Sequence, residues 1–258
     1  MIRFGPAGLG KVDEAIETLE GYAKQGITAC EIAFTYGVYI KSKEDALKIG
    51  EAAKRLNIKL SIHGPYWINL NSEDKKKIAQ SKQRILSCLE VGTWLGAYAV
   101  VFHPAFYGKM SKEETYENVR NELKELVQEA KKKKYTPLIC PETMGKVNVF
   151  GSLNEILALV KDTGCSCCID FAHLLARDKK VDYEGTFKRL KDVKIIHIHF
   201  SGIEYGEKGE KKHLVTPEKE MKALIQSLPK NKEITVINES PEMIKDSIRS
   251  IHYYNKQQ

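Results

Sequence analysis

The chain has 258 residues, 42% of them hydrophobic and 29% charged, with 41 Lys and Arg against 34 Asp and Glu for a formal net charge of +7. That is apolar material for one large core rather than two small ones, so a single domain over 1–258 is expected. No run approaches the roughly 18 uninterrupted apolar residues of a membrane span, and "MIRFGPAGLGKVDE" lacks the regions of a secretion signal, so no membrane partner is expected and the chain is expected to stay in the cytoplasm.

Short apolar strands alternate with amphipathic helices along the whole length. The strand candidates are "IRFG" (2–5), "TACEIAF" (28–34), "KLSIH" (59–63), "YAVVFH" (98–103), "PLICPE" (137–142), "SCCID" (166–170), "KIIHIHF" (194–200) and "ITVINE" (234–239). Helical runs such as "VDEAIETLEGYAKQ", "KEDALKIGEAAKRL", "SKEETYENVRNELKELVQEAKKKK" and "PEKEMKALIQSL" separate them. Helix starts are marked by Ser42, by Ser111 with Glu114, by Ser152 with Glu155, and by Thr216 before Pro217. Eight such units with no linker predict a (β/α)8 barrel, an α/β fold. An open doubly wound sheet is the alternative, but "GPAGLG" at 5–10 lacks the Gly order of a nucleotide loop.

Two local features have plain readings. The six cysteines (30, 88, 140, 165, 167, 168) show no disulfide framework, and "CSCC" reads as small buried residues rather than a metal tetrad, because one strand sends neighbours to opposite faces. "KKKK" at 131–134 closes a helix, where cations complement the dipole. The overall basic excess still favours a polyanionic partner.

The chemistry gathers at strand ends. Strand three ends in His63, strand four in His103, strand five in Glu142, strand six in Asp170 with His173 just beyond, strand seven in His199 and strand eight in Glu239, while His213 lies in the loop after strand seven. In a (β/α)8 barrel these ends converge on one rim. So many imidazoles and carboxylates in one pocket are costly unless divalent cations turn them into bonds, and nitrogen and oxygen donors without thiolate suit zinc, with manganese or iron as substitutes. His197 shares its strand face with His199 and lies one layer deeper.

The segments "SIHGPYWINL", "VFHPAFYG", "PETMGK", "IDFAHLLA", "IHIHFSG", "KKHL" and "INESPE" resemble, in order and spacing, the endonuclease IV family of apurinic/apyrimidinic endonucleases. The resemblance implies a DNA-repair hydrolase with a trinuclear zinc site, cutting duplex DNA on the 5′ side of an abasic site through metal-activated hydroxide. It implies that His63, His103 and Glu142 hold one metal and that Glu142 bridges to a second held by Asp170, His199 and Glu239. His173 and His213 would hold a third with an aspartate two residues before His213, but that position is Lys211. Glu210 is the substitute; otherwise the third metal is weak or absent, and Lys211→Asp is expected to restore it. "HFSG" also departs from the family's strand-seven ending, marking a divergent branch. Glu142 is then the centre of catalysis, Tyr66 and Trp67 are candidate wedges in the bent duplex, and His197 is expected to hydrogen-bond a ligating carboxylate. Two other readings share these residues: a single-metal sugar isomerase or epimerase of the xylose-isomerase-like barrels, using Glu142, Asp170, His199 and Glu239 alone, and a metal-containing barrel that binds nucleic acid without cutting it.

Overall fold

The computed structural model describes residues 1–257; Gln258, the last residue of the expected domain, lies outside the described residues. The eight barrel strands run, in order, over Ile2–Pro6, Ala29–Ala33, Lys59–His63, Ala99–Phe102, Leu138–Pro141, Cys168–Asp170, Ile195–Phe200 and Glu233–Asn238. Each falls on a predicted strand, with ends moved by two residues at most. Strands one, eight, seven and six form one parallel sheet and strands two, three, four and five the other. Two seams close the ring. Thr28 N donates to Phe4 O at 3.1 Å between strands one and two, and Glu142 bridges in parallel to Cys168 between strands five and six.

Strand alternation explains the two histidines of "IIHIHF". Ile196, Ile198 and Phe200 face the surrounding helices and join the large apolar layer with Ile32, Ile62 and Val236. The opposite face turns into the barrel, where among the described residues Ala99, Val101, Cys140 and Cys168 form a small apolar cluster. That narrow, partly apolar interior leaves room for Glu31, Ser61, His197 and His199, all buried. All six cysteines are buried and free, as the small-residue reading requires.

The helix caps follow local chemistry. Ser42, Ser111 and Ser152 accept from the backbone N–H of Asp45, Glu114 and Glu155, and Ser152 with Glu155 completes a reciprocal capping box. Thr216 departs from expectation: Pro217 takes the cap position of helix Glu218–Ser227, while buried Thr216 donates its N–H to Asp246 Oδ2 at 2.9 Å. The lysine run behaves as expected, with Lys131 and Lys132 in the last turn of helix Lys112–Lys132. Among the described residues no helix is long and apolar enough to cross a membrane.

The segment after strand seven is a β-hairpin, Gly202–Gly206 paired with Gly209–Leu214, rather than the expected loop. Its register slips between Glu204 and Tyr205, so that Glu204 faces Lys212 and Tyr205 faces Glu210. Lys211 is the unpaired extra residue of a β-bulge.

Candidate metal centre

Glu142 follows strand five directly and is fully buried at the centre of the rim. Its Oε2 lies 3.2 Å from His63 Nε2 and 3.2 Å from His103 Nε2; its Oε1 lies 3.0 Å from His199 Nδ1 and 3.4 Å from His173 Nδ1. Four imidazoles from four strand ends thus converge on one carboxylate. Burial opposes its charge, yet the neighbouring His199 and the hydrogen bonds from His103, His173 and His199 hold the carboxyl well below its usual range.

The remaining predicted residues join it in overlapping groups. His63, Glu142 and His199 form one donor set, Glu142, Asp170, His199 and Glu239 a second, and His173, Glu210 and His213 a third, each with candidate ligand atoms within 4.8 Å of one another. His103 adjoins the first through Glu142. Asp170 caps helix Phe171–Asp178 by accepting from His173 N at 2.7 Å, which leaves its Oδ2 buried without a hydrogen-bond partner among the described residues. An orphaned carboxylate oxygen beside two further carboxylates and an imidazole is costly as it stands and fits a divalent cation. Glu239 carries the same tension: burial raises its carboxyl, and the charges of Glu142 and Asp170 add to that against the pull of His199.

Backbone acceptors orient the histidines. His63 Nδ1 donates to Gly64 O at 2.8 Å and His173 Nδ1 to Thr143 O at 2.9 Å. A carbonyl only accepts, so each ring turns Nε2 toward the site. Without a metal His63 holds a proton: burial disfavours it, but the hydrogen bond and charge of Glu142 outweigh burial and raise the imidazole to about 9. His103 goes the other way, its burial pressing it below the ordinary histidine value.

The bulge settles the fate of the position that departs from the resembling pattern. Lys211 points outward, 59% exposed, with Nζ 3.3 Å from Glu204 Oε1. Glu210 instead turns onto the face of His213, its Oε2 3.4 Å from His173 Nε2. Lys211→Asp therefore places a carboxylate at the surface rather than in the site, contrary to the sequence expectation. Gly145 makes the approach possible: a Cβ there would fall 2.8 Å from Glu210 Cβ and 3.0 Å from His173 Cδ2. Gly209, at φ +95°, starts the strand at the turn and packs on Gly145 O.

Tyr66 lies over the site, its ring stacked on His103 at 5.4 Å and edge-on to His63 at 5.8 Å, and is 53% exposed. Trp67 beside it is 60% exposed. Tyr66, but not Trp67, lines a cavity of about 360 Å³ together with His63, His103, His173, Glu210, His213 and Glu239. Lys146 also lines it, a residue in "PETMGK" that the reading of strand ends passed over.

His197 lies one layer deeper, as expected, but the carboxylate it meets is not one of the predicted ligands. Its Nε2 is 3.0 Å from Oε2 of Glu31, a fully buried residue of strand two. The sequence carried a signal for Glu31, an acidic residue inside the apolar run "TACEIAF", but attention to strand ends missed it. Cys168 lies within ligand reach of His197 and His199, and without a metal burial pushes its thiol well above the usual range.

The chain is 33% identical over 271 residues to an uncharacterized protein of Methanocaldococcus jannaschii, spanning 99% of this chain and 98% of the relative. It is 27% identical over 178 residues to a probable endonuclease 4 of Aquifex aeolicus, spanning 64% of this chain and 63% of the relative. Among solved structures, SacUVDE superposes with a TM-score of 0.78 at 14% identity, covering 99% of this chain and 98% of that one. D-psicose 3-epimerase from Clostridium cellulolyticum, solved with D-tagatose, gives 0.73 at 15% identity, covering 98% of each chain. Endonuclease IV from Thermus thermophilus gives 0.70 at 20% identity, covering 99% of this chain and 100% of that one. At such identities the structural likeness carries the fold alone. Residues 19–251 match the xylose isomerase-like TIM barrel family, and with eight parallel strands presenting their ends to one rim, the chain belongs to that family, as a divergent relative of proteins named endonuclease 4.

Proposed function

We propose that the chain is a metal-dependent phosphodiesterase that incises duplex DNA on the 5′ side of an abasic site, with zinc as the expected metal. The observation that carries this reading is the third donor set, His173, Glu210 and His213, lying beside two sets that share Glu142. A single-metal isomerase needs one such group. The quartet Glu142, Asp170, His199 and Glu239 meets that need alone, and is what the epimerase reading rests on. It leaves His63, His103, His173, Glu210 and His213 without a purpose, although their placement costs a bulge, a close-packed glycine and several buried imidazoles.

Metals held by these groups would lower the pKa of bound water and neutralise charge on phosphoryl oxygens. The chain's own residues provide the rest. Glu142 fixes the spacing between the first two donor sets because each of its oxygens serves one side. The Gly64 and Thr143 carbonyls keep the His63 and His173 rings oriented before substrate arrives. Tyr66 at the cavity, and the exposed Trp67 next to it in sequence, would fill the gap that a nucleotide turned out of the stack leaves in the duplex, and Lys146 brings a cation to the cavity wall for a phosphate.

The test is to measure metal stoichiometry beside incision of an abasic duplex and turnover of ketoses. More than one metal per chain, with incision lost to chelator and restored by zinc, supports the proposal. One metal, ketose epimerisation and no incision overturn it in favour of the sugar epimerase.

A further inference from the structure

Glu31 occupies the middle of strand two, paired in register with Ser61 of strand three, and is fully buried one layer beneath the rim. A carboxylate in that position is costly unless donors surround it. Ser61 Oγ donates to Oε2 at 2.8 Å, and His197 Nε2 lies 3.0 Å from the same oxygen. Oε1 lies 2.9 Å from His199 Nε2, an ion-pair distance, but makes no hydrogen bond among the described residues. The two Nε2 atoms are themselves 3.1 Å apart, within hydrogen-bond reach of each other as well as beside the Glu31 carboxylate. On the far side of His197, Nδ1 meets the Tyr98 hydroxyl.

We infer that Glu31 is a positioning residue that holds the His199 ring with Nε2 toward the barrel interior, so that Nδ1 faces the donor set of Glu142, Asp170 and Glu239 and can ligate there once a metal takes the place of its proton. A carboxylate accepts only, so it demands a proton on each nitrogen that faces it. His199 Nδ1, 3.0 Å from Glu142 Oε1 and 3.4 Å from Glu239 Oε1, is the nitrogen turned to the site, where a metal would displace its proton. The negative charge behind the ring also makes it a stronger donor. His197 shares the carboxylate and, by accepting from Tyr98, keeps its own proton on Nε2. Glu31 thereby does for His199 what the Gly64 and Thr143 carbonyls do for His63 and His173, with a full charge in place of a dipole.

This inference rests on the metal-centre reading of the proposed function, and the test separates the two. Zinc affinity of the purified chain is measured by chelator competition for the wild type and Glu31→Gln, with circular dichroism as the folding control. Long-range ¹⁵N–¹H spectra of the zinc-loaded wild-type chain read the protonation of both His199 nitrogens independently of any variant. The expected result is a pyrrole-like Nε2 and a pyridine-like Nδ1 on His199, with a folded Glu31→Gln chain that binds zinc roughly 10–100-fold more weakly. Wild-type zinc binding matched within threefold by Glu31→Gln overturns this inference and leaves the proposed function standing, and so does a proton on His199 Nδ1, which decides the matter if Glu31→Gln fails to fold. A wild-type chain that retains no zinc overturns both.

Discussion

Charge at the rim is balanced residue by residue around Glu142, whose two oxygens face four imidazoles. Glu142→Gln keeps the volume but removes the charge and one accepting oxygen, so the expected outcome is a folded chain with metal content reduced and incision lowered by roughly two orders of magnitude or more, read from elemental analysis and initial rates. Activity within a few-fold of wild type would remove Glu142 from the centre. His63 predicts a pH dependence. Its folded-state value is raised from 6.5 to about 9, so in the metal-free chain it contributes stability that is fully present below 6.5 and lost as pH rises through about 9. Metal must displace that proton, so zinc affinity should climb between neutral pH and about 9, and the loaded chain should lack this loss of stability. Calorimetry across that range, with and without zinc, checks both signs. Most of these residues were legible in the sequence because strand ends on a parallel barrel share a rim. Glu31 was not, since a mid-strand acid becomes a partner of His199 only when strands two and seven curl toward each other across the barrel interior.

The hairpin Gly202–Gly206 with Gly209–Leu214 shows what one extra residue in a ladder does. In unbroken alternation Lys211 shares the face of His213 and Glu210 points away; the slip after Glu204 reverses that choice. Glu210→Ala should therefore lower bound metal by one equivalent, whereas Lys211→Ala and Lys211→Asp should leave the metal content unchanged. A gain of metal in Lys211→Asp would contradict the bulged register. Gly145→Ala tests the same arrangement from the other strand end, because its methyl pushes on Glu210 and His173, and it should lower third-site occupancy with a small change in melting temperature. Sequence spacing alone places Lys211 toward the site, since no pattern in "GEKKHL" announces a bulge and the turn that produces it depends on Gly209 packing against Gly145. The capping serines, by contrast, were legible because their partner lies three residues away on the same chain.

Over the whole molecule, the basic charge suits the polyanionic partner that the proposed function requires. The eight-strand count was readable from apolar runs at regular intervals, since each strand of a parallel barrel is covered on its outer face by the helix that follows it. With a net charge of +7 and Lys146 at the cavity, affinity for an abasic duplex should fall about tenfold or more between roughly 50 and 200 mM salt, as neutralised phosphates release their counterions. An affinity flat across that range would point to a small neutral substrate. The central claim is that three donor groups serve phosphodiester cleavage rather than one serving sugar isomerisation. It is tested most directly by titrating zinc into the metal-free chain while following incision of a duplex with a single abasic site. The account predicts activity that rises only as more than one equivalent binds, and that ends in a single cut 5′ of the lesion; full occupancy at one equivalent with the duplex left intact would contradict it.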